Sequence, residues 1–186
     1  MVVVDLGAGD GSFVVATAAA NPATLVVGID AHGRAMAPAG RHLQRRRLPN
    51  ALLVEARAED LPPELDGLAG DVRIHFPWGS LLRGLLEADP RIVSGLARVT
   101  RPGATVTALL SVTERERGLD LAPLNEALRA PLAARYAPFG LALSAWRPAG
   151  DREIAAACSS WAKRLGAGAR RETWVLRLTA SAHASA

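Results

Sequence analysis

Short, continuous apolar runs alternate along this chain with longer stretches in which apolar residues recur at every third or fourth position. The short runs are typical of buried strands in a parallel sheet, and the longer period is typical of helices that pack one face on such a sheet. Their alternation predicts an α/β fold. The seven predicted strands cover 2–4, 25–29, 51–54, 71–76, 104–112, 141–146 and 173–179.

Helices are predicted between the strands, with residues at their ends that start or stop helices. Pro22 ends the first helix, Pro49 ends the second, and Ser80 is predicted to cap the third. The predicted helices cover 13–20, 32–47, 81–86, 90–99 and 151–165, and an insertion at about 114–139 carries a further helical pattern. Because no internal repeat or domain boundary interrupts this order, residues 1–186 are expected to form a single domain, frayed only at 180–186.

The end of the fourth predicted strand carries several special residues. Pro77 cannot donate to a strand ladder, so the strand is predicted to stop there and Trp78 to lie on the following turn. Gly79 allows a backbone or a ligand to approach closely. Open α/β sheets bind their ligands at the carboxyl ends of strands. From this stretch alone, Trp78 fits a binding site and a core position near a turn equally well.

A glycine-rich loop follows the first strand. Asp5 is followed by glycines at alternate positions, Gly7, Gly9 and Gly11, and Asp30 ends the second strand. The dinucleotide-binding fingerprint fails here, because Ser12 does not supply its third glycine. The pattern D-x-G-x-G-x-G instead resembles motif I of class I S-adenosylmethionine (SAM) methyltransferases. That resemblance implies that the loop holds the methionine portion of SAM, and that Asp30 binds the ribose hydroxyls in a charge-assisted contact.

Composition and charge narrow the class of protein. No apolar run is long enough to span a bilayer, and no leader-like basic segment precedes the first strand, so neither a membrane protein nor an exported one is indicated. The single cysteine, Cys158, fits a cytoplasmic protein and is expected to be a small buried residue. The net charge of +4 comes almost entirely from arginine, since Lys163 is the only lysine. Arginine clusters favour phosphate partners, although this charge alone does not establish nucleic-acid binding.

Two further segments make the resemblance more specific. They are His75-Phe76-Pro77-Trp78-Gly79-Ser80-Leu81-Leu82-Arg83-Gly84 and Ser159-Ser160-Trp161-Ala162-Lys163-Arg164-Leu165. Together they look like the aminoglycoside-resistance 16S rRNA adenine N1-methyltransferases of the kanamycin–apramycin type. The resemblance runs from Val2 to Thr179. It implies the class I methyltransferase fold: a Rossmann-like α/β fold with a seven-stranded, mostly parallel sheet, an antiparallel last strand and helices on both faces.

The resemblance also implies residue roles, partners and a cofactor. SAM would bind as cosubstrate and leave as S-adenosylhomocysteine, with no metal required. The partner would be the decoding site of 16S rRNA in the 30S subunit, and the protein would be a monomer. Trp78 and Trp161 would sandwich a flipped adenine, in a pocket shaped by Pro77 and Ser159. The residues expected around SAM are Asp5, Gly7, Gly9, Gly11, Asp30, Ala58, Glu59, His75, Phe76 and Ser80, and those expected on rRNA are Arg41, Arg45, Arg46, Arg47, Lys163, Arg164, Arg170 and Arg171.

Simpler interpretations exist for several of these residues. Arg45, Arg46 and Arg47 also fit a solvated helix C-terminus, where cations favour the helix dipole. Glu59 and Asp60 fit the first turn of a helix, where acids are favoured for the same reason. Two other tryptophans, Trp146 and Trp174, lie within strand patterns and are expected in the core.

The expected chemistry needs little from side chains beyond positioning. N1 of adenine carries a lone pair and no proton, so it can attack the SAM methyl group without a general base, provided that the two are held in line. A small-molecule methyltransferase would share the SAM residues but would not need the arginines, and a nonenzymatic RNA-binding protein on the same scaffold would not bind SAM. Relatives of this type usually carry a strand hairpin before the core, whereas Met1 here abuts the first strand. The chain therefore either lacks that extension or begins inside a longer protein.

Overall fold

A computed structural model describes residues 1–112, 121, 123–158 and 172–181. Its centre is a seven-stranded sheet in the order β3-β2-β1-β4-β5-β7-β6. The strands are β1 (Val2–Leu6), β2 (Leu25–Asp30), β3 (Ala51–Glu55), β4 (Ala69–His75), β5 (Thr100–Leu110), β6 (Leu141–Pro148) and β7 (Trp174–Ala180).

Six α-helices are described between these strands. They are α1 (Ser12–Ala20), α2 (Ala37–Arg46), α3 (Gly79–Glu87), α4 (Pro90–Val99), α5 (Arg129–Tyr136) and α6 (Asp151–Ala156). Short 3-10 turns cover Gly33–Met36, Pro63–Leu65, Glu126–Leu128 and Ala137–Phe139. Among the described residues, no helix is both long and apolar enough to cross a membrane.

The strand directions confirm the predicted sheet. Strands β3, β2, β1, β4 and β5 pair in parallel, and β7 lies antiparallel between β5 and β6. From β1 the chain first builds the β2–β3 side of the sheet and then crosses to β4. The carboxyl ends of β1 and β4 therefore flank a topological switch point, where open α/β sheets form a ligand crevice.

Helices cover both faces of the sheet, as expected. On one face, α3, α4 and α5 bury Leu82, Leu85, Leu96 and Tyr136 in the main core. On the other, α1 packs Val14 and Ala18 on β1 and β2, and the end of α6 packs on β5 and β7. β1 and β2 are buried along most of their length because both of their faces are covered, whereas β4 presents Asp71, Arg73 and His75 to a groove on the α1 side.

The insertion between β5 and β6 is built around a buried tyrosine. In the described part of this insertion, α5 buries Tyr136 completely, and its hydroxyl donates to the carbonyl of Leu85 at 2.7 Å. Burial raises the pKa of the Tyr136 phenol, so the group stays protonated. Trp146 and Trp174 stack at 4.9 Å between ring centroids and are both buried, which confirms their expected place in the core.

Several sequence-based expectations are wrong in detail. Ser80 does not cap a helix: α3 begins one residue earlier, and its N-cap, Trp78, makes no side-chain capping bond. The last predicted helix does not continue through 157–158, because α6 ends at Ala156 and Cys158 adopts a left-handed backbone with φ 48°. Cys158 is exposed rather than buried. The segment predicted as one helix over 32–47 divides into a 3-10 turn and α2.

Candidate active site

A cleft opens at the carboxyl ends of β1, β2 and β4, at the switch point of the sheet. Its walls are the first turn after β1, the tip of β2, the segment after β3 and the segment after β4. Many of the residues proposed from sequence meet there: Gly7, Asp30, Ala58, Glu59, Phe76, Pro77, Trp78 and Ser80. The parallel strands bring them together because all of these strands end at the same edge.

The glycine loop borders the cleft through Gly7. The amides of Gly7 and Ala8 both donate to the carbonyl of Ile29, at 2.8 and 2.9 Å, which holds the loop against the tip of β2. Gly9 has φ 57°, and a Cβ atom at this position would meet nothing within 4 Å. Glycine is required there by the backbone conformation, and it leaves open space over the loop in which a ligand can approach the backbone.

The carboxylate of Asp30 is fixed in position by two backbone amides. Gly9 donates to Oδ2 and His32 donates to Oδ1, each at 2.8 Å. Each carboxylate oxygen keeps acceptor capacity for another hydrogen bond. The same two contacts tie the glycine loop to the tip of β2, so the acidic group and the loop form one rigid unit.

Asp5 and His75 form a buried pair outside the cleft wall. His75 Nδ1 lies 3.2 Å from Asp5 Oδ1, and the two side chains are only 10% and 2% exposed. The imidazole contacts the ring of Phe13, in the first turn of α1, at 4.5 Å between centroids. His75 lines a separate groove on the α1 side of the sheet. The structure therefore sets this pair behind the glycine loop, where it supports β1, β4 and α1.

A left-handed residue turns the chain outward after β4. Phe76 has φ 51° and is buried, and its ring packs with Leu109 and Val175. Its amide donates to the carbonyl of Leu109 at 2.9 Å. A bulky residue in this conformation is costly and is maintained by its surroundings, here by packing and by that hydrogen bond. Because Phe76 has this left-handed backbone conformation, β4 ends at His75, two residues before Pro77.

Trp78 projects from this turn into solvent. It is 66% exposed, whereas Pro77 before it is buried. The indole stacks on the imidazole of His32, with 6.5 Å between ring centroids and 21° between planes. The interpretation of Trp78 as a core residue near a turn is therefore wrong. Its exposed indole lies at the mouth of the cleft.

The segment after β3 forms the opposite wall. Residues 58–60 form a turn rather than the start of a helix, so the alternative interpretation of Glu59 and Asp60 is wrong. Glu59 is half-buried and lies 3.7 Å from the guanidinium of Arg57.

The arginines proposed for rRNA fall into two sets. Arg41, Arg45, Arg46 and Arg47 are exposed on α2 and at its C-terminal cap. This location agrees with the simpler interpretation of a solvated helix end and leaves their side chains available to a partner. Lys163, Arg164, Arg170 and Arg171, together with Ser159 and Trp161, lie outside the described residues.

Sequence reasoning missed His32 and Arg57. Both line the cleft, one at the tip of β2 and the other after β3. The position of His32 two residues after Asp30 was the available signal. Within the described part of the chain, no group of three or more His, Cys, Asp or Glu residues is arranged to hold a metal ion.

The fold and the cleft together define a class I SAM-dependent methyltransferase. A family model, NpmA: 16S rRNA (adenine(1408)-N(1))-methyltransferase, matches residues 1–180. A 16S rRNA (adenine(1408)-N(1))-methyltransferase from Streptoalloteichus hindustanus is 39% identical in an alignment of 187 positions, gaps included. The alignment covers 96% of this chain and 86% of the relative. The chain belongs to this family of rRNA-methylating enzymes.

Solved structures agree with this assignment. A mutant of the 16S rRNA (adenine(1408)-N(1))-methyltransferase from Catenulisporales acidiphilia, crystallised with cosubstrate SAM, is 30% identical with a TM-score of 0.87. That match covers 100% of this chain and 88% of the other. The aminoglycoside resistance methyltransferase NpmB1 is 34% identical with a TM-score of 0.80, over 96% of this chain and 86% of that one. SAM is thus the methyl donor of the family.

Proposed function

We propose that this protein transfers the methyl group of SAM to N1 of adenine 1408, the decoding-site adenine of 16S rRNA, in the 30S subunit, and that the modification confers aminoglycoside resistance. The observation that carries the proposal is the exposed Trp78, which stands at the end of β4 beside a cleft with a fixed carboxylate. An indole that is 66% exposed contributes little to the core, and it is well suited to stack on a base.

The cleft residues fit SAM. The carboxylate of Asp30, oriented by the amides of Gly9 and His32, accepts hydrogen bonds from the ribose hydroxyls of SAM. Gly7 and Gly9 allow the methionine portion to lie against the backbone. Ala58, Glu59 and Ser80 border the adenosine, and Asp5, Gly11, His75 and Phe76 support the loop and the end of β4. SAM supplies an electrophilic methyl group, and S-adenosylhomocysteine is the product.

The residues of this chain act by positioning the target base. Adenine N1 has its own lone pair, so no side chain needs to remove a proton before attack. Holding the base and the methyl group in line at near-attack distance accounts for the acceleration. This agrees with the cleft, where Asp30 accepts two backbone hydrogen bonds and Glu59 lies 3.7 Å from the Arg57 guanidinium.

Base flipping makes the adenine accessible. Unstacking the base costs roughly a few kcal/mol. Stacking against an aromatic side chain returns about 1–3 kcal/mol. The Trp78 indole stacks on one face of the flipped adenine and the Trp161 indole on the other. Pro77 and Ser159 shape the pocket between the two tryptophans.

Arginines bring the enzyme to its substrate. The exposed set on α2, Arg41 and Arg45 to Arg47, docks on one rRNA surface through phosphate contacts. Lys163, Arg164, Arg170 and Arg171 hold the backbone beside the flipped base. In this proposal residues 1–186 act as one domain and as a monomer, in the cytoplasm where 30S subunits are found.

Transfer of tritiated methyl groups from SAM tests the proposal. The protein is incubated with 30S subunits, with 30S subunits that carry guanine at position 1408, and with free nucleosides. We expect label only in the first reaction. Efficient labelling of nucleosides would favour a small-molecule enzyme, and calorimetry without a SAM binding signal would favour a nonenzymatic RNA-binding protein. Either result would overturn the proposal.

A further inference from the structure

We propose that His32 is a positioning residue for methyl transfer. It holds the Trp78 indole, on which the target base stacks, and so links that indole to the cofactor site at Asp30. This inference rests on the proposed function, because it assigns Trp78 to the target base. The link runs from the tip of β2 to the turn after β4, across the mouth of the cleft.

The backbone of His32 is fixed at both of its hydrogen-bonding groups. Its amide donates to Asp30 Oδ1 at 2.8 Å, and its carbonyl accepts from the amide of Ala35 at 2.8 Å. The second contact begins the 3-10 turn that follows, for which His32 is the N-cap. The imidazole therefore projects from a rigid support that is also bonded to the proposed ribose carboxylate.

The imidazole ring stacks on Trp78 and also lies near Asp30. Its Nδ1 lies 3.6 Å from Asp30 Oδ1, which is longer than a hydrogen bond. Its plane is within 21° of the indole plane, with 6.5 Å between centroids, inside the range of stacked aromatic pairs. In the described part of the protein the imidazole thus has a ring contact with Trp78 and a longer, charge-dependent contact with Asp30.

Trp78 needs such a contact because its own segment holds it weakly. The indole is two-thirds exposed, and Trp78 makes no side-chain capping bond to α3. Gly79, the next residue, has φ 58° and open space around the position of a Cβ. An exposed side chain without an anchor samples several rotamers, and ordering it when the base arrives costs free energy. His32 reduces that cost by holding the ring beforehand.

Removal of the ring should therefore weaken base capture and leave SAM binding intact. An aromatic pair of this kind changes the equilibrium constant for ordering the indole by about two- to tenfold. His32→Ala should therefore lower kcat/KM for 30S subunits by about two- to tenfold. The amide that fixes Asp30 is retained in this variant. SAM affinity should consequently stay within about twofold of wild type, since Asp30 keeps both backbone hydrogen bonds and the imidazole lies beyond hydrogen-bond distance from it.

Two replacements separate stacking from polarity. His32→Phe keeps a ring and should restore methylation to within about twofold of wild type. His32→Gln keeps hydrogen-bonding groups without a ring and should behave like His32→Ala. The control is Glu64→Ala, which truncates an exposed side chain in the 3-10 turn between β3 and β4, outside the cleft, and should change neither rate nor affinity.

Acrylamide quenching of tryptophan fluorescence tests the contact without any substrate. His32→Ala should increase quenching, because it removes the ring that lies beside Trp78, and should have no effect in a Trp78→Phe background. Full methylation by His32→Ala, rescue by Gln equal to that by Phe, a parallel loss of SAM affinity, or unchanged quenching would each overturn the inference. If wild-type protein does not methylate 30S subunits, the proposed function fails, and the quenching experiment still decides whether the contact exists.

Discussion

Replacing Trp78 with alanine separates a base platform from a structural tryptophan. A fully buried tryptophan contributes about 150–250 Å² of buried surface. Because Trp78 is 66% exposed, only about a third of that area is lost in the variant, worth about 1–2 kcal/mol at ~25 cal/mol per Å². The expected fall in melting temperature is a few degrees, since 1 kcal/mol shifts it by about 2–4 °C in a protein of this size.

Trp146→Ala is the matched control for stability. Trp146 is 1% exposed, stacks on Trp174, and donates from its indole nitrogen to the carbonyl of Asn125 at 2.7 Å. Its loss should cost about 3–5 kcal/mol, because it leaves a cavity and an unpaired carbonyl. That variant should melt about 6–20 °C lower.

Methyl transfer should respond differently to the Trp78 substitution. Loss of one stacking face costs about 1–3 kcal/mol of base binding, which corresponds to about a 5- to 150-fold lower kcat/KM on 30S subunits. Trp78→Phe should retain part of the activity, because a smaller ring still stacks. The assays are thermal denaturation and methyl transfer at matched protein concentration. Full methylation by Trp78→Ala, or a melting temperature as low as that of Trp146→Ala, would refute the reasoning.

Three further substitutions extend the test. Asp30→Ala should weaken SAM binding by about 1.5–3 kcal/mol, because a charged hydrogen-bond acceptor is lost, and unchanged affinity in calorimetry would remove Asp30 from the site. Arg171→Ala should abolish resistance in cells while SAM binding persists, and an equal loss of SAM affinity would mean that its segment is structural. Hydrogen bonds from Arg147 lower the pKa of Glu153 to about 2 from its usual 4.5. Because the folded-state pKa is depressed, this pair stabilises the fold above about pH 4.5 and loses its effect as the pH falls toward 2. Glu153→Gln should therefore cost about 1 kcal/mol at pH 7, after allowance for solvent screening, and progressively less as the pH falls through the folded-state pKa of about 2; a pH-independent difference in unfolding free energy would contradict this.

The sheet and the cleft were predictable because they follow from residue patterns with few solutions. Apolar runs separated by helices predict an α/β sheet whose parallel strands have their carboxyl ends at one edge, and the antiparallel last strand was implied by the family resemblance. The glycine loop and Asp30 could therefore be assigned to one site from their places after the first and second strands. The structure adds the amide of Gly9 as the physical link between them.

Other features depend on tertiary contacts that the sequence pattern does not encode. Phe76 looks like the last residue of an apolar strand, but packing against Leu109 and Val175 holds it in a left-handed conformation. Alternation along β4 puts His75 on the same face as Asp71 and Arg73, but it does not indicate that this face lies on the α1 side of the sheet. The stack of His32 on Trp78 joins two segments 46 positions apart in the chain. Local pattern cannot predict such a contact.

Primer extension on 16S rRNA tests the central claim most directly. Wild-type protein is incubated with SAM and 30S subunits, the rRNA is extracted, and reverse transcription is carried across the decoding site. A methyl group on N1 blocks base pairing, so we predict a stop immediately before adenine 1408 that requires both the protein and SAM. Readthrough of that adenine in subunits incubated with SAM-binding, folded protein would contradict the account.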